Sequence, residues 1–272
     1  MYKENPLTIK SGNNICIPAI YAFDDEKKSE KAIILLHGIS TDKNEYLDFY
    51  KTLSFDLVKN NYSTVRIDFR GHGDSTLPPS EFTISSQVDD LITTIDWLIK
   101  EKGFKKVNLL GTSFGAAPCI FVSNILPQFI DEIFLVAPVL DYKKTFITPI
   151  SEWGKDLFTN IIDDVLIKKQ NLYITDTFYI QSRLVAEMAI IDVLDFAKKT
   201  DKIFHTIHGD ADSMVDYSIT LAASQTANNI RLYSFKDMEH GFTDMNDEDG
   251  VTDITKNNVT RILNIIKNTD RK

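Results

Sequence analysis

The segment Gly111-Thr112-Ser113-Phe114-Gly115 places a serine hydroxyl between two glycines. It follows an apolar run, 106–110, that is typical of a buried strand, and it precedes a helical pattern at 114–126. A sharp strand-to-helix turn exposes the serine Oγ, and the two glycines leave room where strand and helix nearly collide. Free N–H groups at the helix start would stabilise an oxyanion. Ser113 is therefore predicted to be a nucleophile, although the same spacing also occurs where a serine only caps a helix.

A serine nucleophile needs a base, and the chain has five histidines. His240 lies in a loop after the last predicted strand and before the last predicted helix, from which an imidazole can reach Ser113. The expected chain order of such a site is Ser, then Asp or Glu, then His. Two histidines precede Ser113, and two belong to a predicted strand or its end: His37, His72, His205 and His208. His240 is therefore the predicted base.

The carboxylate that orients the base is expected in the loop 208–215, which offers two aspartates. Asp210 directly follows a glycine and suits hydrogen bonds within a turn. Asp212 lies further along the loop and has more reach toward His240. Asp212 is the predicted catalytic carboxylate, with Asp210 as the alternative.

Two backbone N–H groups are predicted to form an oxyanion hole. One is that of Phe114, which follows the nucleophile, and the other is that of Ile39, after the strand 32–36. Gly38 would let the chain pass close to a substrate carbonyl, and the side chains of Ile39 and Phe114 are expected to line the pocket. His37 is expected to be structural, tying down this loop.

The segment Asp68-Phe69-Arg70-Gly71-His72-Gly73-Asp74-Ser75 is a second polar loop at a strand end. His72 and Asp74 could belong to a metal site or to a second acid–base pair. Two glycines and mixed charges fit an internally hydrogen-bonded turn better, and His-x-Asp supplies too few metal ligands. A structural role is predicted, and the sequence indicates neither a metal site nor a cofactor site.

Apolar runs rich in β-branched residues alternate with longer helical patterns, which predicts an α/β fold. Strands are expected at 15–22, 32–36, 64–68, 106–110, 132–137, 203–207 and 230–235, with an edge strand near 7–10. Helices are expected at 46–59, 84–100, 114–126, 217–227 and 253–267. The near-continuous apolar character of the central runs predicts a mostly parallel, doubly wound sheet of about eight strands.

The connection 141–198 is far longer than one crossover helix needs, so it is predicted to be an inserted cap above the sheet edge. The core would then comprise 1–140 and 199–272. Within the cap, helices are expected near 151–162 and 176–195, and a small hairpin around 165–174. Its aromatic residues either line a substrate pocket or form the cap's own small core, and the candidates for the pocket are Phe146, Trp153 and Phe178.

Composition narrows the class of partner. The 272 residues carry a net charge of −9, which argues against nucleic acid or an anionic membrane surface as the main partner. No apolar stretch is long enough to span a bilayer, and residues 1–6 lack the apolar core of a signal peptide. A cytoplasmic location is expected.

Together, His37-Gly38, Asp68-x-Arg70-Gly71-His72-Gly73-x-Ser75, Gly111-x-Ser113-x-Gly115, Gly209-x-x-Asp212 and His240 resemble the α/β-hydrolase superfamily. The Asp-x-Arg-Gly-His-Gly loop is similar to the branch that contains monoacylglycerol lipases, serine aminopeptidase-like hydrolases and bacterial cinnamoyl (feruloyl) esterases. The short chain and compact cap are most similar to the last group. The resemblance implies an α/β-hydrolase fold and hydrolysis of carboxylic esters.

The expected function is serine ester hydrolysis through an acyl-enzyme, on esters with an aromatic or a short-to-medium acyl group. The partner would be a small-molecule ester, and a homodimer stays open. Hydrolysis of thioesters, amides or peptides by the same triad is the nearest alternative. A non-catalytic, ligand-binding member of the fold is the alternative from another class.

Overall fold

A single twisted sheet forms the centre of the molecule, as the sequence predicts. The computed structural model describes residues 1–12, 15–242 and 253–269. The strands in these residues are β1 (Tyr2–Lys10), β2 (Cys16–Asp24), β3 (Lys31–Leu36), β4 (Tyr62–Ile67), β5 (Val107–Thr112), β6 (Ile130–Val136), β7 (Leu172–Tyr173), β8 (Tyr179–Ile180), β9 (Phe204–Gly209) and β10 (Ile230–Phe235). Eight of these described strands form the sheet, in the order β1-β2-β4-β3-β5-β6-β9-β10. β1 and β2 pair antiparallel, and β2 pairs antiparallel with β4. The other neighbours in the sheet, β4-β3-β5-β6-β9-β10, all pair parallel.

Helices cover both faces of this sheet. Those of the described residues are α1 (Phe49–Lys59), α2 (Ile84–Lys102), α3 (Ala116–Ile125), α4 (Glu152–Phe158), α5 (Ser182–Ile190), α6 (Val193–Lys198), α7 (Tyr217–Thr226) and α8 (Asp253–Thr269). Alternate residues of β3 point into two apolar layers: Ile34 and Leu36 pack into the layer with α2 and α3, and Ile33 and Leu35 into the layer with α1 and α8. This burial on both faces explains why the central strands are continuous apolar runs.

Two predicted helices begin later than expected. The pattern at 46–59 starts with a 3₁₀ turn, Tyr46–Asp48, and α1 begins at Phe49 because Leu47 and Asp48 have left-handed backbone conformations (φ 52° and 56°). The pattern at 114–126 starts with a 3₁₀ turn over Ser113–Gly115, and α3 begins at Ala116. In both places a tight turn separates a strand-end loop from the helix proper.

The segment between β6 and β9 contains α4, the β7–β8 hairpin, α5 and α6, together with π-helical turns at Lys143–Ile147 and Ile162–Ile167. The hairpin predicted at 165–174 is wrong, because 162–167 is helical and the hairpin lies at β7 and β8. The helix predicted at 176–195 is also wrong as one element. It comprises strand β8 and two helices, and the Asp192 side chain begins α6 anew by accepting a hydrogen bond from the Asp195 N–H (3.0 Å). The division into core and cap stays a prediction.

No helix within residues 1–12, 15–242 and 253–269 is long and apolar enough to cross a membrane.

The crossing of β5 and α3 is unusually close. A Cβ added at Gly111 would overlap the carbonyl oxygen of Gly115 and lie 2.7 Å from the Cα of Ala116. Since both neighbours are backbone, neither can move aside without displacing the helix. The two glycines therefore set how near the helix start lies to the strand end.

We expect Gly111→Ala to lower the free energy of unfolding by about 1–3 kcal/mol, because the added methyl group overpacks this crossing. The matched control is Gly12→Ala, where an added Cβ would have nothing within 4 Å. Urea unfolding of both variants and the parent protein measures the difference. Equal stability of the two variants would show that the crossing tolerates a Cβ.

Candidate active site

Ser113 occupies a strained turn between β5 and α3. Its φ is 53°, in the left-handed region that residues other than glycine rarely adopt, and its side chain is largely buried. The carbonyl of Ser113 accepts a hydrogen bond from the Val139 N–H (3.1 Å), which ties the turn to the segment after β6. The strained turn of a nucleophilic serine that the sequence predicts is thus present in the backbone.

The three side chains singled out from the sequence form one hydrogen-bonded chain. His240 Nε2 lies 3.0 Å from Ser113 Oγ, and His240 Nδ1 lies 2.8 Å from Asp212 Oδ2. An ionised carboxylate can only accept, so Nδ1 carries the imidazole proton and Nε2 is left to accept the hydroxyl proton of Ser113. This arrangement suits transfer of the serine proton to the imidazole.

Asp212 is held as an anion by four donors. Its Oδ1 accepts the N–H groups of Met214 (3.0 Å) and Val215 (2.8 Å), and its Oδ2 also lies 3.0 Å from His208 Nε2. Burial by itself would raise the pKa of Asp212, but the charges and hydrogen bonds of His240 and His208 outweigh burial and hold that pKa well below its usual range. The side chain therefore stays ionised beside the imidazole.

His208 was missed as a site residue, since its position at the end of a strand gives no sign of where its ring points. Its Nδ1 lies 2.8 Å from Thr220 Oγ1 on α7, and this contact aims Nε2 at Asp212. Asp210, the alternative carboxylate, accepts the Asp237 N–H (2.7 Å) and is exposed. This bond joins the loop after β9 to the turn after β10, whereas the sequence suggested a hydrogen bond within the turn after Gly209.

The charges around His240 favour its protonated form. Burial lowers the pKa of this imidazole, but the charge and hydrogen bond of Asp212, together with the charges of Glu45 and Glu239, outweigh burial and raise the pKa above the usual value. A base with a raised pKa removes a proton more readily when it is neutral.

The loop after β3 is held by the side chain of His37. The N–H of Phe69 donates to His37 Nε2 (3.0 Å), so the ring proton lies on Nδ1 and donates to the Gly38 carbonyl (2.7 Å). Thr41 Oγ1 also donates to this carbonyl (3.2 Å). Because a trans peptide directs C=O and N–H oppositely, these contacts turn the Ile39 N–H away from His37. His37 thus ties down the loop, as predicted.

His72 supports the same loop from the segment 68–75. Its Nε2 accepts the Ser40 N–H (3.0 Å), and its ring packs on Phe82 and Phe178. Burial, together with the neighbouring His37, holds the pKa of His72 well below its usual value, so the ring stays neutral. In the same segment, Asp68 accepts the Lys43 N–H (2.7 Å). The polar loop at 68–75 is therefore an internally bonded scaffold for the loop after β3.

Glu45 is a carboxyl group at the site that the sequence analysis did not single out. Its Oε2 accepts the Gly38 N–H (2.7 Å), and its side chain lines the cavity beside Ser113. Burial raises the pKa of Glu45 to about 7 against the opposing effect of the Gly38 and Tyr46 N–H groups and of the His240 charge. An acidic residue in a polar loop is common, so composition alone offers no signal for it.

A cavity of about 600 Å³ opens beside Ser113 and His240. Its apolar walls are formed mainly by residues from the loop after β3, the segment between β6 and β9, and the loop after β9: Ile39, Phe146, Trp153, Leu157, Ile174 and Val215. Two of the three aromatic candidates of the predicted cap, Phe146 and Trp153, line this cavity, and so does the side chain of Ile39, as expected.

Two expectations for the cavity are wrong. Phe178, which directly precedes β8, packs in the aromatic cluster of His72 and Phe82 and so faces the 68–75 loop. The Phe114 ring is fully buried and packs on Phe82 and Phe146 under the turn, since the helix start directs it into the core. The N–H groups of Phe114 and Ile39 remain the predicted oxyanion donors.

Residues 27–249 match the model of a protein family described as "Serine aminopeptidase, S33". This match covers most of the chain. The chain belongs to the S33 serine aminopeptidase family. The membership, with the mostly parallel eight-stranded sheet, establishes the α/β-hydrolase fold that the sequence motifs resemble.

Solved structures of similar fold include esterases of bacteria and archaea. The S33 chain is similar to a structure titled "Ferulic Acid bound to Est1E from Butyrivibrio proteoclasticus", with 18% identity, a TM-score of 0.77, and coverage of 98% of this chain and 100% of that one. It is also similar to the Pyrococcus furiosus esterase Pf2001, with 18% identity, a TM-score of 0.62, and coverage of 88% and 83%. At these identities the likeness concerns the fold alone.

Among curated proteins, the chain is 29% identical over 131 residues to a Mycoplasma genitalium protein named "Putative esterase/lipase 2". The aligned region covers 48% of this chain and 46% of that protein. It is also 29% identical over 113 residues to an Eremothecium cymbalariae protein named "Ethanol acetyltransferase 1", covering 41% and 29%. The chain thus spans less than half the length of these curated relatives.

Replacing Asp212 by Asn should lower the pH at which His240 titrates, because the charge and hydrogen bond of Asp212 raise the pKa of that imidazole. The matched control is Asp210→Asn, which removes a carboxylate from the same loop without touching His240. Histidine resonances followed by NMR against pH measure both variants. A larger shift in the Asp210 variant would reverse the assignment of the two aspartates.

Proposed function

We propose that the protein is a serine hydrolase of carboxylic esters in which Ser113, His240 and Asp212 are the catalytic residues. The observation that carries the proposal is the hydrogen-bonded chain from Ser113 Oγ through His240 to Asp212 at the mouth of an apolar cavity. Three comparisons support it: membership of the S33 serine aminopeptidase family, an esterase among the structures of similar fold, and a curated relative named "Putative esterase/lipase 2". Ester hydrolysis of this kind uses the three side chains, two oxyanion donors and water.

In the first step, His240 Nε2 takes the proton of Ser113 as Oγ attacks the ester carbonyl carbon. The C–O bond to the alcohol then breaks, and the imidazolium gives its proton to the departing alkoxide. Asp212 holds the Nδ1–H tautomer and stabilises the imidazolium that forms during this transfer. The products of this step are the free alcohol and a Ser113 acyl ester.

In the second step, a water molecule takes the place of the alcohol. His240 removes its proton as it attacks the acyl carbon, and the proton then passes to Ser113 Oγ as the carboxylic acid leaves. In both steps the negative charge on the carbonyl oxygen would be stabilised by the N–H groups of Ile39 and Phe114. Removing one such donor costs about 3 kcal/mol in the barrier of related enzymes.

The cavity supports an acyl group that is aromatic or of short-to-medium length. Its walls are apolar and include two aromatic side chains, those of Phe146 and Trp153, and its volume of about 600 Å³ is that of a small-molecule site. Est1E, whose structure has a similar fold, binds ferulic acid, an aromatic acid. We extend the proposal to the segment 141–198, which would act as the inserted cap that closes this site.

Hydrolysis of an amide or peptide is the second candidate, and the family description favours it because it names an aminopeptidase. The same three side chains would serve, but the leaving group would be an amine. Since an amine leaves less readily than an alcohol, its protonation by His240 becomes the critical step.

Ser113→Ala should lower kcat for 4-nitrophenyl butyrate hydrolysis about 10⁴-fold or more, because the nucleophile is lost. A fluorophosphonate probe should label the parent protein at Ser113 and leave this variant unlabelled. Ser224→Ala, in the exposed part of α7, is the matched control and should keep both rate and labelling. An alanine variant at 113 that retained the esterase rate would contradict the mechanism.

A substrate panel separates the two candidate activities. We expect kcat/KM for 4-nitrophenyl esters to exceed that for aminoacyl 4-nitroanilides by about 10²-fold or more, since the apolar cavity accommodates acyl chains. An acyl-CoA thioester completes the panel, and Ser113→Ala supplies the background rate for each substrate. Faster turnover of the anilides would assign the protein to amide or peptide hydrolysis.

A further inference from the structure

The charged groups of the cavity have one sign, apart from the imidazole of the proposed triad. Glu45 and Glu239 both line it, and of the described residues that form its walls none is a lysine or arginine. The lysine of the same loop, Lys43, is directed elsewhere. Its Nζ pairs with Asp68 (2.7 Å) and Asp74 (2.8 Å). A negatively charged substrate would therefore meet carboxylates in this cavity without a basic side chain to balance them.

Glu45 is placed close to the position where a substrate carbonyl would react. Its Oε2 bonds to the Gly38 N–H at 2.7 Å, and a Cβ at Gly38 would lie 3.7 Å both from Glu45 Oε1 and from Ser113 Oγ. The carboxyl group and the hydroxyl thus both lie close to the position that a side chain at Gly38 would occupy. A group attached near the scissile bond comes within a few ångströms of Glu45.

The backbone keeps the Glu45 carboxyl in this position. Glu45 has a φ of 63°, and two nearby residues, Leu47 and Asp48, are also left-handed (φ 52° and 56°). Three such residues within four positions are costly, and strain of this kind is typical of sites where a side chain must point in one direction. The strain and the bond to Gly38 together direct the carboxyl into the cavity.

We propose that Glu45 is a specificity-determining residue, and that the cavity selects esters that carry no anionic group near the scissile bond. The inference rests on the proposed function, since it concerns the substrates of that same site. It disfavours half-esters of dicarboxylic acids, whose carboxylate lies a few bonds from the ester carbonyl, and it favours neutral esters. Glu239 also lines the cavity, where its Oε2 accepts the Ser213 N–H (3.1 Å), and it adds a second carboxylate to the same field.

The preference of the cavity for neutral over anionic esters should increase with pH. Glu45 has a pKa of about 7, so its carboxyl gains its charge as the pH rises from 6 to 8. The groups that face it are the hydroxyls of Thr41 and of Tyr50 on α1, and the imidazole of His240. His240 loses its positive charge as the pH rises, which acts in the same direction, so a variant of Glu45 is needed to separate the two groups.

The test compares three esters of matched length: 4-nitrophenyl valerate, the 4-nitrophenyl monoester of glutaric acid, and the corresponding glutaramate. The valerate is neutral and apolar, the glutarate is anionic, and the glutaramate is neutral with nearly the shape of the glutarate. At pH 8 we expect kcat/KM for the glutaramate to exceed that for the glutarate about 30-fold or more, after subtraction of the Ser113→Ala rate. Equal rates for these two esters would overturn the proposal.

Glu45→Gln keeps an acceptor for the Gly38 N–H but removes the charge. We therefore expect it to lower the ratio of kcat/KM for the glutaramate to kcat/KM for the glutarate about tenfold. It should also remove most of the increase of this ratio between pH 6 and 8. Glu101→Gln, at the exposed end of α2, removes the same net charge far from the cavity and should leave the ratio unchanged. If the ratio is the same in the Glu45→Gln and Glu101→Gln variants, Glu45 does not determine the selectivity.

Two further measurements keep the outcome decisive. If Glu45→Gln fails to fold by circular dichroism, Glu239→Gln takes its place and should narrow the ratio in the same direction. If no ester is hydrolysed above the Ser113→Ala background, the proposed function fails. Calorimetric binding of the glutaramate and glutarate esters to the Ser113→Ala protein then tests selectivity by itself. Tighter binding of the neutral ester supports the inference, and equal binding refutes it.

Discussion

The start of α3 approaches the end of β3 closely at Gly115, and the position of the nucleophile depends on this contact. A Cβ at residue 115 would overlap the carbonyl oxygens of both Leu36 and His37. Because nothing larger than hydrogen fits there, the start of α3 lies directly against the strand end. This contact brings Ser113 next to Gly38, so that the nucleophile and the predicted oxyanion loop belong to one rigid unit.

Neutral histidines hold that unit together without adding charge to it. His37 and His72 each accept a backbone N–H at Nε2, from Phe69 and Ser40 respectively, and both stay uncharged because burial lowers the pKa of each ring. A charged side chain in the same position would place a strong field beside the developing oxyanion. The imidazole ring supplies a donor and an acceptor in one rigid plane, which fixes a loop with little electrostatic effect.

Sequence patterns predicted the central strands, since burial of both faces leaves a clear apolar signal. They also singled out the three side chains that hydrogen bonds join in the structure, since a parallel sheet brings the ends of distant strands to one edge. They failed where long-range packing decides. The hairpin at β7 and β8 lacks an extended apolar alternation, and the directions of Phe178 and Phe114 depend on neighbours from other segments. Glu45 and His208 were missed for the same reason, because local sequence does not show what a polar side chain faces.

Two buried carboxyl groups influence one imidazole, and their surroundings give them opposite properties. Asp212 receives four hydrogen bonds, two from backbone N–H groups and two from histidines, and its pKa falls well below the usual range. Glu45 is bonded chiefly to the Gly38 N–H, so burial prevails and its pKa rises to about 7. Environments that separate two carboxyl pKa values in this way assign them different tasks. Asp212, which stays ionised, is suited to stabilise the imidazolium of His240. Glu45, which ionises near neutrality, is suited to set the charge of the cavity wall that a substrate contacts.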